Sequence, residues 1–270
     1  MGLDGINSKI IRMVPKVTAL MMTQLINSII KTSTYPEILK ISRILPILKP
    51  DKCKSSPDSY RPICNLSVFN KIIQEWIKSS LLEYMTQNNI LLPNHRSGLG
   101  LHSTMTAKSM IDYFIGKGTE SNPITMMVNT DMSAAFDTVD HQVLLRKLKF
   151  YGVNEKGLSL MQSFLESRSS YIELESFQSE PVMNQPCSVI QGSRISGLLF
   201  LIYVNEVPVL HKLMKDESIS RVMIGRISRS KGNISHDTSN FVDDSASIIS
   251  FEDEEEAEDY METFMEILEE

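Results

Sequence analysis

Residues 124–153 run ITMMVNTDMSAAFDTVDHQVLLRKLKFYGV. The short apolar run over residues 124–130 predicts a buried strand that ends at Asp131. Leu144, Leu145, Leu148 and Tyr151 then fall on one face of a helix over residues 141–151. A carboxylate therefore stands where a strand leaves a core, just ahead of an amphipathic helix.

The same pattern continues in both directions. Upstream, Val17, Leu20, Met21, Ile26, Ile29 and Ile30 predict a helix over 17–30, and residues 41–48 a strand that ends in a turn-rich basic stretch, KPDKCKSSPDSYRP. A strong amphipathic helix covers residues 72–85, and another covers 103–114, with Ser103 or Thr104 as its cap. Downstream, a helix spans 155–166, a strand 170–176, and residues 182–190 continue the sheet. A long apolar helix then starts near Ser193 and lasts to about Val207. Two basic strands around 222–229 form a hairpin ahead of NFVDDSASIIS, itself a hairpin with Asp243 and Asp244 at its bend. Ala257, Tyr260, Met261, Phe264, Met265 and Leu268 give the acidic end a docked helix with a solvated face. Helices first, then strands alternating with helices around a small sheet, make the fold class α+β, or mixed α/β.

Bulk properties narrow the function. With 270 residues, 42% apolar and 22% charged, the chain has ample material for a core, as one large domain or two small ones. No apolar run is long enough to cross a membrane, and the start lacks the pattern of a secretory signal. Cys53, Cys64 and Cys187 fit no zinc or disulfide spacing and read as reduced intracellular thiols. The net charge of −6 is uneven: residues 251–270 hold eleven acids and no base, leaving 27 bases against 22 acids, or +5, over residues 1–250. That balance permits a nucleic-acid partner without demanding one.

Two carboxylate sites are candidates for chemistry: Asp131 after its strand, and the pair Asp243–Asp244 between apolar runs. Adjacent acids at a bend repel unless a cation lies between them and a third acid, and Mg2+ takes such oxygen ligands. Two such ions can activate a hydroxyl and stabilise a leaving oxygen in phosphoryl transfer. Taken alone, the pair also reads as two solvated turn aspartates. Between the sites lies VIQGSRISGLLF, a glycine turn opening an apolar helix, where Gly192 leaves room for a nucleotide and Gln191 can hydrogen-bond to sugar or base.

The segment NTDMSAAFDTVDHQVLLRKLKFYGV resembles the first catalytic motif of reverse transcriptases from non-LTR (LINE-like) retrotransposons. VIQGSRISGLLFLIYVNEVP resembles their second motif, and NFVDDSAS their F/Y-x-D-D motif. GLDGINSKII is similar to their opening G-P-D-G-I segment, and RILPILKP with DSYRPICNLSVFNKIIQEWI to their fingers. The resemblance covers nearly the whole chain, in order. It implies a right-hand polymerase, with fingers over residues 1–115 and a palm over 116–270. It also implies Asp131, Asp243 and Asp244 as catalytic metal ligands, with Met132 contributing its carbonyl, and two Mg2+ ions for which Mn2+ can substitute. Phe136 becomes the steric gate against ribonucleotides, Gln191 and Gly192 the nucleotide pocket, and Lys49 and Arg61 the contacts to the incoming triphosphate. The implied partners are an RNA template, a DNA primer and deoxynucleotides, with no membrane.

The chain departs from the family pattern at several points. SGLGLHST stands where the family has G-F-R-x-G-x-S-T, Ile190 where Pro is common, and Ser196-Gly197 where Gly-Pro is usual. Arg194 is an unusual guest at a helix start, where the dipole disfavours a cation. The family's next palm motif, primer grip and thumb would lie beyond Glu270, and its endonuclease before residue 1, so the expectation is a fragment without them. Two rival functions remain: a catalytically impaired or domesticated nucleic-acid-binding derivative, and an RNA-dependent RNA polymerase, against which Leu201 and Phe136 argue.

Overall fold

The computed structural model describes residues 4–92, 104–132, 134–174, 177–183, 187–206, 235–241, 244–255, 257, 258, 260 and 261. In chain order the elements are α1 (Ser8–Met13), α2 (Pro15–Thr32), β1 (Ile41–Leu48), β2 (Tyr60–Asn65), α3 (Val68–Gln87) and α4 (Thr104–Ser121). There follow β3 (Ile124–Asp131), α5 (His141–Phe150), α6 (Glu155–Leu165), β4 (Ser169–Leu174), β5 (Phe177–Gln178), β6 (Val182–Met183), α7 (Ser196–Tyr203), β7 (Ser235–Phe241) and β8 (Asp244–Phe251). The chain is mixed α/β with small sheets, and it forms two compact units that interleave in sequence.

The first unit comprises Met1–Ile90 and Ala134–Tyr203. Its sheet runs β2-β1-β4-β5, with β1 antiparallel to β2 and parallel to β4. Pro46 and Pro62 stand directly opposite each other in the β1–β2 pair. Neither can donate to the ladder, so placing them face to face confines the lost donors to one rung, on an edge strand. Tyr35, Leu66, Ile73, Met85, Leu144, Leu148, Leu199 and Phe200 are fully buried and form the core. Four helices start on side-chain caps: Asn7 accepts from the Lys9 amide at 3.0 Å, Ser67 from Asn70 at 3.1 Å, Asp140 from Val143 at 2.8 Å and Asn154 from Gly157 at 2.8 Å. Such caps contribute about 1 kcal/mol each and set where the helices enter.

The second unit comprises Leu91–Ser133 and Val204–Glu270. It holds an antiparallel sheet, β3-β8-β7, with α4 packed on it. Ile249, Phe251 and Ala257 form its core with Ile124, Met126 and Tyr260. Residues 254–261 are helical where described, as the apolar spacing of the acidic end predicts; Phe264, Met265 and Leu268 lie outside the described residues. So does the hairpin expected around residues 222–229.

Several sequence expectations change in detail. Strand β3 is half-exposed rather than buried, with Met127 45% exposed, and of residues 182–190 only Val182–Met183 form a strand of the sheet among the described residues. The helix over 17–30 exists as α2, but Val17, Leu20, Met21 and Ile30 are exposed, while Met22 and Ile29 are buried. The helix expected to start near Ser193 begins at Ser196, because residues 190–193 close a turn first, with the Ser193 amide donating to the Ile190 carbonyl at 3.2 Å.

Candidate active site

The decisive geometry is in the register of the three-stranded sheet. Strand β3 ends at Asp131 and β8 begins at Asp244, and these two residues pair directly across the ladder. Phe241, at the end of β7, pairs with Asp244 from the other side. Asp131 and Asp244 are therefore at opposed positions of adjacent strands, with Cα atoms roughly 4.5–5.5 Å apart as antiparallel pairing requires. Asp243 lies outside the described residues. The fold explains the convergence: Ile124, Met126 and Met127 of β3 pair with Phe251, Ile249 and Ile248 of β8, and that register carries Asp131 and Asp244 to the same end of the ladder.

Like charges set opposite each other destabilise a sheet by up to about 1 kcal/mol. A divalent cation removes that penalty, and carboxylate oxygens suit Mg2+; the acids present fit such an ion. Met132 follows Asp131 directly and is 38% exposed. Among the described residues no group of three or more His, Cys, Asp or Glu side chains is placed to hold a metal.

In the first unit, the turn at residues 190–193 is held from both sides. Gly192 takes φ +94°, the positive φ that the third position of a type II turn requires. A Cβ there would come within 2.9 Å of the Cys64 carbonyl. The Cys64 amide donates to the Gln191 carbonyl at 2.9 Å, tying the turn to the end of β2. From the other side, the Ser193 hydroxyl and the Arg194 amide both donate to Oε1 of Gln74, at 2.9 and 3.0 Å.

Gln74 is fully buried in α3 and was not legible as a site residue. Its signal was the pair Asn70 and Gln74, one helical turn apart on a face that is otherwise apolar. The Gln74 Nε2 donates to Asn70 Oδ1 at 2.8 Å, the Tyr35 hydroxyl donates to the same oxygen, and Asn70 Nδ2 donates to the Leu39 carbonyl at 2.6 Å. Burial pushes the Tyr35 hydroxyl up to about 12, against the pull of Arg168 and Gln74. Burial likewise lowers Arg168 to about 10, offset in part by Tyr35 and Cys64. Arg168 donates to the Phe164 carbonyl at 2.9 Å and lies 4.8 Å over the Phe164 ring.

Phe136 sits in a turn that Ala134 enters at φ +53°, and its ring lies 5.4 Å from Phe200, half-buried. Its carbonyl accepts from the Val189 amide at 2.8 Å, which brings the segment of Phe136 beside the one leading to Gln191 and Gly192. Arg61 is exposed opposite Ile47, and the half-buried Lys49 closes the same hairpin, with its Nζ 2.9 Å from the Asp58 carbonyl. Arg194 precedes α7 rather than opening it, and its guanidinium is 4.0 Å from Glu75, which removes the conflict with the helix dipole. Arg12, Lys71, Arg194 and Glu75 line a cavity of about 600 Å³ beside α1 and the start of α3.

Residues 47–270 match the family model described as reverse transcriptase (RNA-dependent DNA polymerase). The chain is 30% identical over 214 residues to a probable RNA-directed DNA polymerase from transposon BS of Drosophila melanogaster, covering 77% of this chain and 23% of that protein. It is 26% identical over 208 residues to the RNA-directed DNA polymerase from mobile element jockey of the same fly, covering 77% and 22%. The chain thus spans less than a quarter of the length of these relatives. Among solved structures, apo telomerase from Candida tropicalis superposes with a TM-score of 0.54 at 16% identity, covering 91% of this chain and 51% of that one. That likeness is one of fold.

Proposed function

The chain belongs to the reverse transcriptase family, and on that premise we propose that it carries the fingers and palm of a retrotransposon-type RNA-directed DNA polymerase. The observation that supports this most is the direct pairing of Asp131 with Asp244. In this reading the fingers span residues 1–115 and the palm 116–270, a division by motif rather than by compactness.

Asp131, Asp243 and Asp244, with the Met132 carbonyl, would hold two Mg2+ ions. When bound, these supply activation of the primer 3′-hydroxyl and charge stabilisation of the leaving pyrophosphate. The chain's own residues do the positioning. Gln191 and Gly192 line the deoxynucleotide pocket, where the glycine lets the turn sit against the Cys64 carbonyl at a place a Cβ would occupy, and Phe136 leaves no space for a 2′-hydroxyl. Lys49 provides a point charge and Arg61 a bidentate fork for the triphosphate. The 3′-oxygen forms its bond to the α-phosphate, the bond to the β,γ-diphosphate breaks, and pyrophosphate departs. An RNA template and a DNA primer are held through phosphates, to which the cations of the cavity at Arg12 and Lys71 contribute.

Primer extension on an RNA template with Mg2+ tests the reading. Wild type is expected to incorporate deoxynucleotides, and Asp131→Asn or Asp244→Asn to lose on the order of a thousandfold in rate, about 4 kcal/mol of transition-state stabilisation. Duplex binding with no incorporation, unchanged by Asp244→Asn, would replace the enzyme with a binding protein. Preference for ribonucleotides would replace it with an RNA polymerase.

A further inference from the structure

We propose that Gln74 is a positioning residue for the nucleotide pocket, acting from α3 through the turn at residues 190–194; the proposal rests on the reading of Gln191 and Gly192 as that pocket. Oε1 of Gln74 is the shared acceptor of the Ser193 hydroxyl and the Arg194 amide, at 2.9 and 3.0 Å. These two donors immediately follow Gly192, so the acceptor determines where the turn lies after its glycine. A helix side chain 0% exposed has no solvent to compete for those bonds.

The amide is also held the right way round. Nε2 of Gln74 donates to Asn70 Oδ1 at 2.8 Å, an oxygen that receives the Tyr35 hydroxyl as well. Asn70 is fixed in turn, because its Nδ2 donates to the Leu39 carbonyl at 2.6 Å and its backbone amide caps α3 on Ser67 at 3.1 Å. A flipped Gln74 would set its NH2 group against the Arg194 amide and its oxygen against Asn70 Oδ1, losing both of those bonds and keeping only one to the Ser193 hydroxyl. The relay Tyr35, Asn70, Gln74 and Ser193 therefore carries the orientation of the helix face into the loop. The Cys64 amide, which holds the Gln191 carbonyl at 2.9 Å, secures the other flank. Gln74 touches no reacting atom in this scheme.

The test uses Gln74→Met, which keeps the side chain's length and removes both polar atoms, with Gln74→Glu and Ser193→Ala alongside. Each is measured for the KM and kcat of deoxynucleotide incorporation and for hydrogen exchange of the backbone amides over residues 190–196. Gln74→Met is expected to raise KM roughly tenfold with kcat within about twofold of wild type, and to speed exchange across the turn. Gln74→Glu keeps an acceptor oxygen for Ser193 and Arg194 but sets its second oxygen against Asn70 Oδ1, and is expected to recover part of the KM. Ser193→Ala should give a smaller rise and add little when combined with Gln74→Met. An unchanged KM, full additivity of the two variants, or unchanged exchange over residues 190–196 would overturn the proposal. Should Gln74→Met fail to fold, Ser193→Ala decides by the same readouts. If the wild-type chain incorporates nothing, the polymerase reading falls by itself, and the exchange data alone decide whether Gln74 positions the turn.

Discussion

Asp131 and Asp244 occupy one rung of a ladder, a position at which like charges destabilise a sheet, so removing one charge should have opposite effects on activity and on stability. In metal-free buffer Asp131→Asn is expected to raise the melting temperature by roughly 1–3 °C, as about 0.5–1 kcal/mol of repulsion disappears. Added Mg2+ should stabilise wild type and leave the variant unmoved; calorimetry with and without the ion checks both. Tyr35 gives a second residue-level expectation. Its folded pKa of about 12 lies above the ordinary 10, so the folded state holds a proton that the unfolded state gives up. Its contribution is complete below pH 10 and is lost as pH rises through 12. Arg168, lowered to about 10, has the opposite sign and gains stability above that pH. Tyr35→Phe should cost about 1 kcal/mol at neutral pH and lose stability less steeply than wild type between pH 10 and 12 in denaturant titrations. The rung that Asp131 shares with Asp244 and the turn at Gly192 were legible, because charge and glycine stand out from apolar surroundings. Gln74 was not, since its importance lies in what it meets from elsewhere in the chain, and the Asn70–Gln74 pair on an apolar face marks a buried polar contact without naming its partner.

At the scale of elements, α4 lies close on its sheet because residue 118 is glycine. A Cβ there would meet the Ser250 hydroxyl, and Thr125 Oγ1 at 2.8 Å. Gly118→Ala gains about 1 kcal/mol in helix propensity, while overpacking costs about 1–3 kcal/mol. A net loss of about 1 kcal/mol is expected, and Gly118→Val should lose more; chemical denaturation measures both. The elements themselves were largely legible. The strand at residues 41–48 and the strand ending at Asp131 have the expected limits, since apolar runs bounded by turn residues leave little freedom. The start of α7 was not, because apolar spacing continues through residues 190–195 and only the positive φ of Gly192 and the bonds to Gln74 and Cys64 hold that segment out of the helix. The exposed face of α2 was also beyond reach: periodicity gives a helix an apolar side but does not say what covers it.

At the scale of the whole molecule, neither compact unit is continuous in sequence, and this was invisible to a left-to-right reading of motifs. A cut after Ser133 yields two pieces, neither of which contains a complete unit. Each piece alone is expected to melt without a cooperative transition, and mixing the two should restore one, as circular dichroism would show. Duplex binding, if carried by the mildly basic body, should weaken with salt at a log–log slope of roughly −2 to −4, equivalent to about two to four neutralised phosphates. The interleaving also has a consequence during synthesis on the ribosome. The strand ending at Asp131 emerges long before β8, the only described neighbour to which it is bonded in the sheet. At translation rates of about 5–20 residues per second, it waits for roughly 6–23 s with its edges unsatisfied. For that interval the nascent chain offers a sticky template to any other polypeptide nearby, so chaperone supply and translation speed should govern the yield of this protein more than its final stability does.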